Sequence, residues 1–227
     1  MTTIAENIGR LSARLRQLEQ QYERPPGSVK LLAVSKRHPV DSIVEAHAAG
    51  ILDFGENYLQ EALEKIQQLS AMRLNWHFIG PVQANKTRAI AENFQWVHSV
   101  DRLKIAQRLS DQRESSREKL NVCVQVKLSD ETSKSGLDLV EAQALCDAVE
   151  ALPNLQLRGL MAIPAAQHDT ESQRRTFRIL AEEFRRLRSR YTRFDTLSMG
   201  MSGDFEAAIA EGSTLIRIGT AIFGPRE

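Results

Sequence analysis

Short apolar runs alternate with segments of helical period along almost the whole chain. The first run is 30–35 (KLLAVS). A helical pattern follows over about 39–49, with Asp41, Ile43, Val44 and His47 at helical spacing and Gly50 as its stop. Runs recur at 52–56 (LDFGE), 75–80 (NWHFIG) and 96–100 (WVHSV), with helical patterns over about 57–69 and 84–93 between them. Asp101 is expected to cap the helix after the fourth run, because a carboxylate there can accept from free backbone N–H groups. The β-branched alternation of 120–128 (LNVCVQVKL) predicts a fifth strand. The polar segment 129–136 then leads to a helix over about 138–152. The last strand candidates are 155–163, 194–201 and 214–223, separated by an Arg-rich helix over about 170–191 and a short one over 204–210.

Eight strand–helix units, preceded by one extra N-terminal helix, are therefore expected. Strands that alternate with helices imply crossover connections and a parallel sheet. Eight such units in 227 residues fit a single (β/α)₈ barrel domain spanning 1–227, since such barrels typically take about 250 residues. A doubly wound open sheet is the alternative.

Composition narrows the partners. The formal net charge is +1, which argues against a protein that works by gripping nucleic acid or anionic lipid. No apolar run approaches the roughly 20 residues of a membrane span. The charged stretch 1–18 has no signal core, so a cytoplasmic protein is expected, with Cys123 and Cys146 as reduced thiols.

In a barrel of this kind, sites lie at the C-terminal ends of the strands. Lys36 follows four apolar residues there, and burial would lower its pKa toward the neutral amine that a Schiff base needs. The plain alternative is a lysine whose stem lies on apolar surface and whose head stays in water. Ser202 with Gly219 and Thr220 suggests a phosphate cradle after strands seven and eight, although these residues also suit turns and a helix cap. Phosphate plus aldehyde describes pyridoxal 5′-phosphate (PLP); a sugar-phosphate aldolase would fit the same pair. Arg217, inside an apolar strand, needs either a carboxylate partner or an acceptor on a cofactor. His77 reads as a satisfied core histidine, and the five histidines show no metal-ligand spacing. The arginines between Arg174 and Arg193 read as the solvated side of a helix whose buried face is Phe177, Leu180, Phe184 and Leu187. Lys134, in the polar segment, reads as a solvated lysine rather than a second reactive amine.

Six motifs carry a resemblance. AVSK (33–36), FGENYLQEA (54–62), WHFIGPVQANK (76–86), SKSG (133–136), RGLMAI (158–163) and RIGTAIFG (217–224) resemble the YggS/PROSC family of pyridoxal-phosphate homeostasis proteins, over nearly the whole chain. The resemblance implies a barrel similar to the N-terminal domain of alanine racemase, usually monomeric, with PLP held as an aldimine on Lys36. It implies that Ser202, Gly219 and Thr220 hold the phosphate, that Arg217 faces the pyridine nitrogen, and that Asn57 lies near the ring. The chain departs from the family at Arg37-His38, where many relatives carry other polar residues, often a second lysine, and at Gly203, which replaces a commonly acidic residue.

A guanidinium only donates hydrogen bonds, so a ring nitrogen facing Arg217 stays unprotonated and the cofactor is a weaker electron sink. Racemases with this feature add a tyrosine from another domain, and no such domain is expected after the last run. The expectation is a binding protein that buffers PLP or delivers it to apo-enzymes, with effects on amino-acid and ketoacid pools. A weak racemase-like enzyme is the alternative.

Overall fold

The computed structural model describes residues 2–128, 136–167 and 169–225. Its centre is a closed parallel barrel, with strands in chain order: β1 (Lys30–Val34), β2 (Asp53–Glu56), β3 (Asn75–Phe78), β4 (Trp96–Val100), β5 (Leu120–Gln125), β6 (Leu155–Met161), β7 (Thr196–Ser198) and β8 (Leu215–Ile218). Closure comes from β1 against β8, registered from Lys30 opposite Leu215 to Ala33 opposite Ile218. The expected (β/α)₈ architecture is thus present, and the open sheet is not. The helices are α1 (Ile4–Gln21), which precedes the barrel, then α2 (Val40–Ala48), α3 (Leu59–Gln68), α4 (Thr87–Asn93), α5 (Leu103–Gln112), α6 (Ala142–Glu150), α7 (Thr170–Arg188), α8 (Phe205–Ala210) and α9 (Thr220–Phe223).

Local chemistry explains the boundaries. Helix α1 starts in a capping box, in which the Thr3 side chain accepts from Glu6 N–H and the Glu6 carboxylate accepts from Thr3 N–H. Its residues Ile8, Leu11, Leu15 and Leu18 recur at helical spacing and are all buried. The same holds for Phe177, Leu180, Phe184 and Leu187 on α7. On the outer side of α7, Arg174 and Arg178 both bond the carboxylate of Glu211, as expected of a solvated face. Between β6 and β7, Gly159 has φ +152°, and a Cβ there would collide with the carbonyl of Thr196. Only glycine lets these two strands approach so closely.

Two expectations need correction. The run 214–223 is not one strand: β8 ends at Ile218, the chain turns at Gly219, and the rest forms α9. Its apolar content has another destination, because Ile222 is fully buried beside α1 and its carbonyl accepts from the Asn7 side chain. Asp101 does not cap α5. The N-cap is Arg102, and the Asp101 carboxylate instead takes a 2.7 Å bond from the Arg102 guanidinium.

The large core lies between barrel and helices, where Phe54, Phe78, Phe94 and Phe177 are fully buried. Each such side chain contributes roughly 1.5–3 kcal/mol through removal of apolar surface from water. The barrel interior is different. Its apolar part is a small cluster of Leu32, Val34, Ile79 and Leu215, beside which the buried His77, His98, Ser198 and Arg217 fill the space. Leu32 and Leu215 border a cavity at the N-terminal end of the strands, and Val34 and Ile79 border a cleft at the C-terminal end.

Candidate functional site

The cleft at the C-terminal end has a volume of about 260 Å³. All six sequence candidates line it: Lys36, Asn57, Ser202, Arg217, Gly219 and Thr220. They come from the loops after β1, β2 and β7 and from β8 with its following turn, so only barrel closure unites them. Val34, Ile79, Ile163 and Met201 form the apolar part of the wall. A larger cavity of about 670 Å³ lies at the opposite end among Lys30, Asp53, Asn75 and Arg158, and none of the six candidates touches it. Chemistry, not volume, therefore distinguishes the two. Lys134 and the rest of 129–135 lie outside the described residues.

Each side of the cleft has its own character. Lys36 is half-buried at the end of β1. Arg217 is 3% exposed, and three of the guanidinium's five N–H bonds point into the core. These go to the Ser198 carbonyl at 2.7 Å, the Ser198 hydroxyl at 2.7 Å and the Ala162 carbonyl at 2.9 Å. Burial pulls its pKa down to about 10, with Asp204 opposing, so it remains a cation near neutral pH. No carboxylate is among its hydrogen-bond partners in the described residues, so the structural ion pair is not how it is held. Asp204, not Ser202, occupies the N-cap position of α8, and its carboxylate accepts from Met201 N–H. No hydrogen bond among the described residues uses the Ser202 or Thr220 hydroxyl, or the N–H groups of Ser202, Gly203, Gly219 and Thr220. Asn57 brings a buried Oδ1 that has no hydrogen-bond partner among the described residues. Its backbone packs against Gly80, where a Cβ would collide with the Asn57 carbonyl.

The profile of the alanine racemase N-terminal domain matches residues 7–227. The chain belongs to that family. It is 58% identical over 227 residues to the pyridoxal phosphate homeostasis protein of Pseudomonas aeruginosa, covering 100% of this chain and 97% of that one. PipY of Synechococcus elongatus, solved with PLP bound, is 36% identical, covers 98% of this chain and 100% of its own, and superposes with a TM-score of 0.84. The alanine racemase of Bacillus anthracis, 17% identical with a TM-score of 0.71 over 98% of this chain and 55% of its own, shares the barrel fold.

This family member also uses residues that its sequence does not advertise. Behind Lys36, the buried Lys65 donates to the Ser35 carbonyl at 2.8 Å, to Glu56 at 2.8 Å and to Glu61 at 2.6 Å. The Ser35 hydroxyl also donates to Glu56, and Glu61 accepts from Arg37 N–H. Both neighbours of Lys36 are thereby held, and Arg37 is kept at φ 60°, a strained value for a residue with a side chain. Burial raises the Glu56 carboxyl above its ordinary range, and Lys65 opposes the rise. Glu61 and Lys65 stand four apart in a charged helix, which reads as an ordinary surface pair. Only the meeting of α3 with β1 and β2 reveals the cluster.

His77 and His98 are both buried in the barrel interior, and burial lowers both from 6.5, His98 the further. In the unfolded chain they regain ordinary values, so below about pH 6.5 that chain binds protons that the folded protein does not. Their contribution to stability is thus fully present above 6.5 and declines as the pH falls toward the folded values. The slope is about 1.4 kcal/mol per pH unit for each histidine. Urea unfolding between pH 7.5 and 5.5 should show this loss in the wild type and about half of it in His98→Asn. Parallel curves for the two proteins would contradict the burial.

Proposed function

We propose that the protein binds PLP in the C-terminal cleft, as a Schiff base on Lys36, and serves intracellular PLP homeostasis by buffering the cofactor or delivering it to apo-enzymes. The observation that carries this reading is convergence on one cleft: a strand-end lysine, a donor-only arginine and a group of uncommitted hydroxyl and N–H donors. The residues fit the group. Lys36 Nζ would add to the aldehyde carbon with loss of one water. Ser202, Gly203, Gly219 and Thr220 would hold the phosphate, since an anion needs donors that nothing else has taken. Arg217 would face the ring nitrogen, and Asn57 would lie beside the ring. When bound, PLP supplies a reactive aldehyde and an electron-withdrawing ring. The relatives' name and the PLP-bound PipY support the same reading.

A carrier fits this cleft better than an enzyme. Among its described lining residues, Lys36 and Arg217 are the titratable ones. A guanidinium stays protonated near neutral pH, so a substrate carbon would meet one general base and no partner acid. The reading includes a monomer acting in the cytoplasm. Purified protein incubated with PLP should develop visible absorbance, and borohydride reduction followed by peptide mapping should place the pyridoxyl group on Lys36. A panel of L- and D-amino acids should show turnover well below about 1 s⁻¹. Label elsewhere would overturn the residue assignment, and turnover at or above that rate would overturn the carrier.

A further inference from the structure

A file of buried hydrogen bonds crosses the barrel interior from one end to the other. At the cleft, Arg217 Nη1 donates to Ser198 Oγ at 2.7 Å. Ser198 Oγ lies 2.9 Å from His98 Nδ1, and His98 Nε2 lies 2.9 Å from His77 Nδ1. His77 Nε2 lies 3.0 Å from Asp53 Oδ1, which borders the cavity at the N-terminal end. His77, His98, Ser198 and Arg217 are all at most 3% exposed. None of the three intermediate residues, Ser198, His98 and His77, belongs to the cleft lining.

The two ends fix the direction of the file. A guanidinium only donates and an ionised carboxylate only accepts. Ser198 Oγ accepts from Arg217, so its single proton goes to His98 Nδ1. His98 must then carry its proton on Nε2 and donate it to His77 Nδ1. His77 in turn carries its proton on Nε2 and donates to Asp53. Every donor and acceptor is used once, with both imidazoles neutral, which their burial also favours. The opposite order needs one more proton. His77 would be an imidazolium, and Ser198 Oγ would receive N–H bonds from both His98 and Arg217 with no acceptor in the file for its own proton. That arrangement places a second buried cation near Arg217 and leaves a hydroxyl unsatisfied.

We propose that Ser198, His98, His77 and Asp53 are positioning residues for Arg217: a one-way hydrogen-bond file that holds the guanidinium in the orientation it presents to the cleft. The carbonyls of Ser198 and Ala162 fix two of its nitrogens, and the file fixes its rotation by supplying a side-chain acceptor that cannot turn away. The consequence for ligand rests on the proposed PLP function. A guanidinium held in place keeps one hydrogen-bond geometry at the ring nitrogen. One free to turn exposes that nitrogen to water and protonation. The charged and titratable groups facing the file are Lys30 on β1, Asp53 on β2, Cys123 on β5, Arg217 on β8 and Asp204 before α8, with Arg158 on β6 stacked across Trp96 from His77.

The direction can be read without any cofactor. Long-range ¹H–¹⁵N spectra of histidine-labelled protein should show His77 and His98 as Nε2–H tautomers that do not titrate between pH 6 and 8, a window of about half a unit below to one and a half above the ordinary histidine value. A Nδ1–H tautomer at either ring, or titration near 6.5, overturns the file. The positioning role is read with PLP. His98→Leu should weaken PLP binding about tenfold, the worth of one hydrogen bond, and shift the pH midpoint of the visible band by about one unit. His98→Asn, whose Oδ1 can replace Nδ1 as acceptor, should restore most of both. Ser198→Ala cuts the same link with less change in volume and should match His98→Leu if that variant folds poorly. A wild-type band that none of these variants moves overturns the positioning role alone. No band in the wild type overturns the proposed function and the positioning role with it, while the spectra of the unliganded protein still decide the file.

Discussion

Lys36→Ala protein is expected to show no visible absorbance after incubation with PLP and to bind it at least about a hundredfold more weakly, or ~2.7 kcal/mol. The proposed covalent link to Lys36 is the one interaction that nothing else in the cleft can replace. Lys36 and Arg217 are the titratable groups among its described lining residues, and only the lysine is a nucleophile. What remains is the donor group around Ser202, Gly203, Gly219 and Thr220, which suits phosphate without distinguishing PLP from other phosphorylated compounds. Residual binding should therefore be competed by inorganic phosphate. Lys104→Ala, on the exposed side of α5, is the matched control and should bind like the wild type. Fluorescence titration of the three proteins decides the point. Wild-type affinity in Lys36→Ala would remove this lysine from the site.

Lys65→Met should be the most destabilising of the charge-removing substitutions near the site. Lys65 is 5% exposed and Glu56 fully buried, and among the described residues Glu56 Oε2 already lacks a hydrogen-bond partner. Taking away the ammonium leaves a buried carboxylate with only the Ser35 hydroxyl, a change that typically costs about 3–5 kcal/mol. Glu56 would escape part of this by binding a proton. Its carboxyl is already raised by burial and would rise further without Lys65, so the deficit should be large at pH 8 and smaller at pH 5.5. Glu56→Gln in the same chain should recover much of the loss, because no uncompensated charge remains. The site should suffer as well, since Ser35 and Arg37 lose the contacts that hold them beside Lys36. Urea unfolding of the single and double variants at both pH values tests the cluster. A Lys65→Met protein within about 0.5 kcal/mol of wild type would show that it holds nothing.

Much of this molecule is written in its local sequence. Strands buried on both faces need apolar residues at nearly every position, so runs such as LNVCVQ stand out between amphipathic helices. Repetition of that unit gives the barrel, and the strand ends then give Lys36, Asn57, Ser202, Arg217, Gly219 and Thr220 as candidates that line one cleft. The segment TAIF was unreadable in this way. An apolar tetrapeptide has the same composition whether it extends a strand or winds into α9 against α1, and the neighbour decides. Asp101 failed for a similar reason, because a carboxylate that can cap a helix can also pair with the arginine next to it.

The amino-acid sequence by itself determined the order and type of the elements, because backbone propensity and burial act over a few residues. It also determined which chemical groups stand at the ends of strands. The tertiary structure alone decided which of those groups meet. Lys65 looks like a solvated helix residue until α3 places it behind β1 and β2. His77 and His98 look like two unrelated strand positions until the pairing of β3 with β4 brings a nitrogen of each ring within 2.9 Å, and the closed barrel sets Ser198, a hundred residues beyond His98, against the other nitrogen of His98. Hydrogen bonds and buried charge depend on distances of a few ångströms between chain segments far apart in sequence, and only the closed barrel sets those distances.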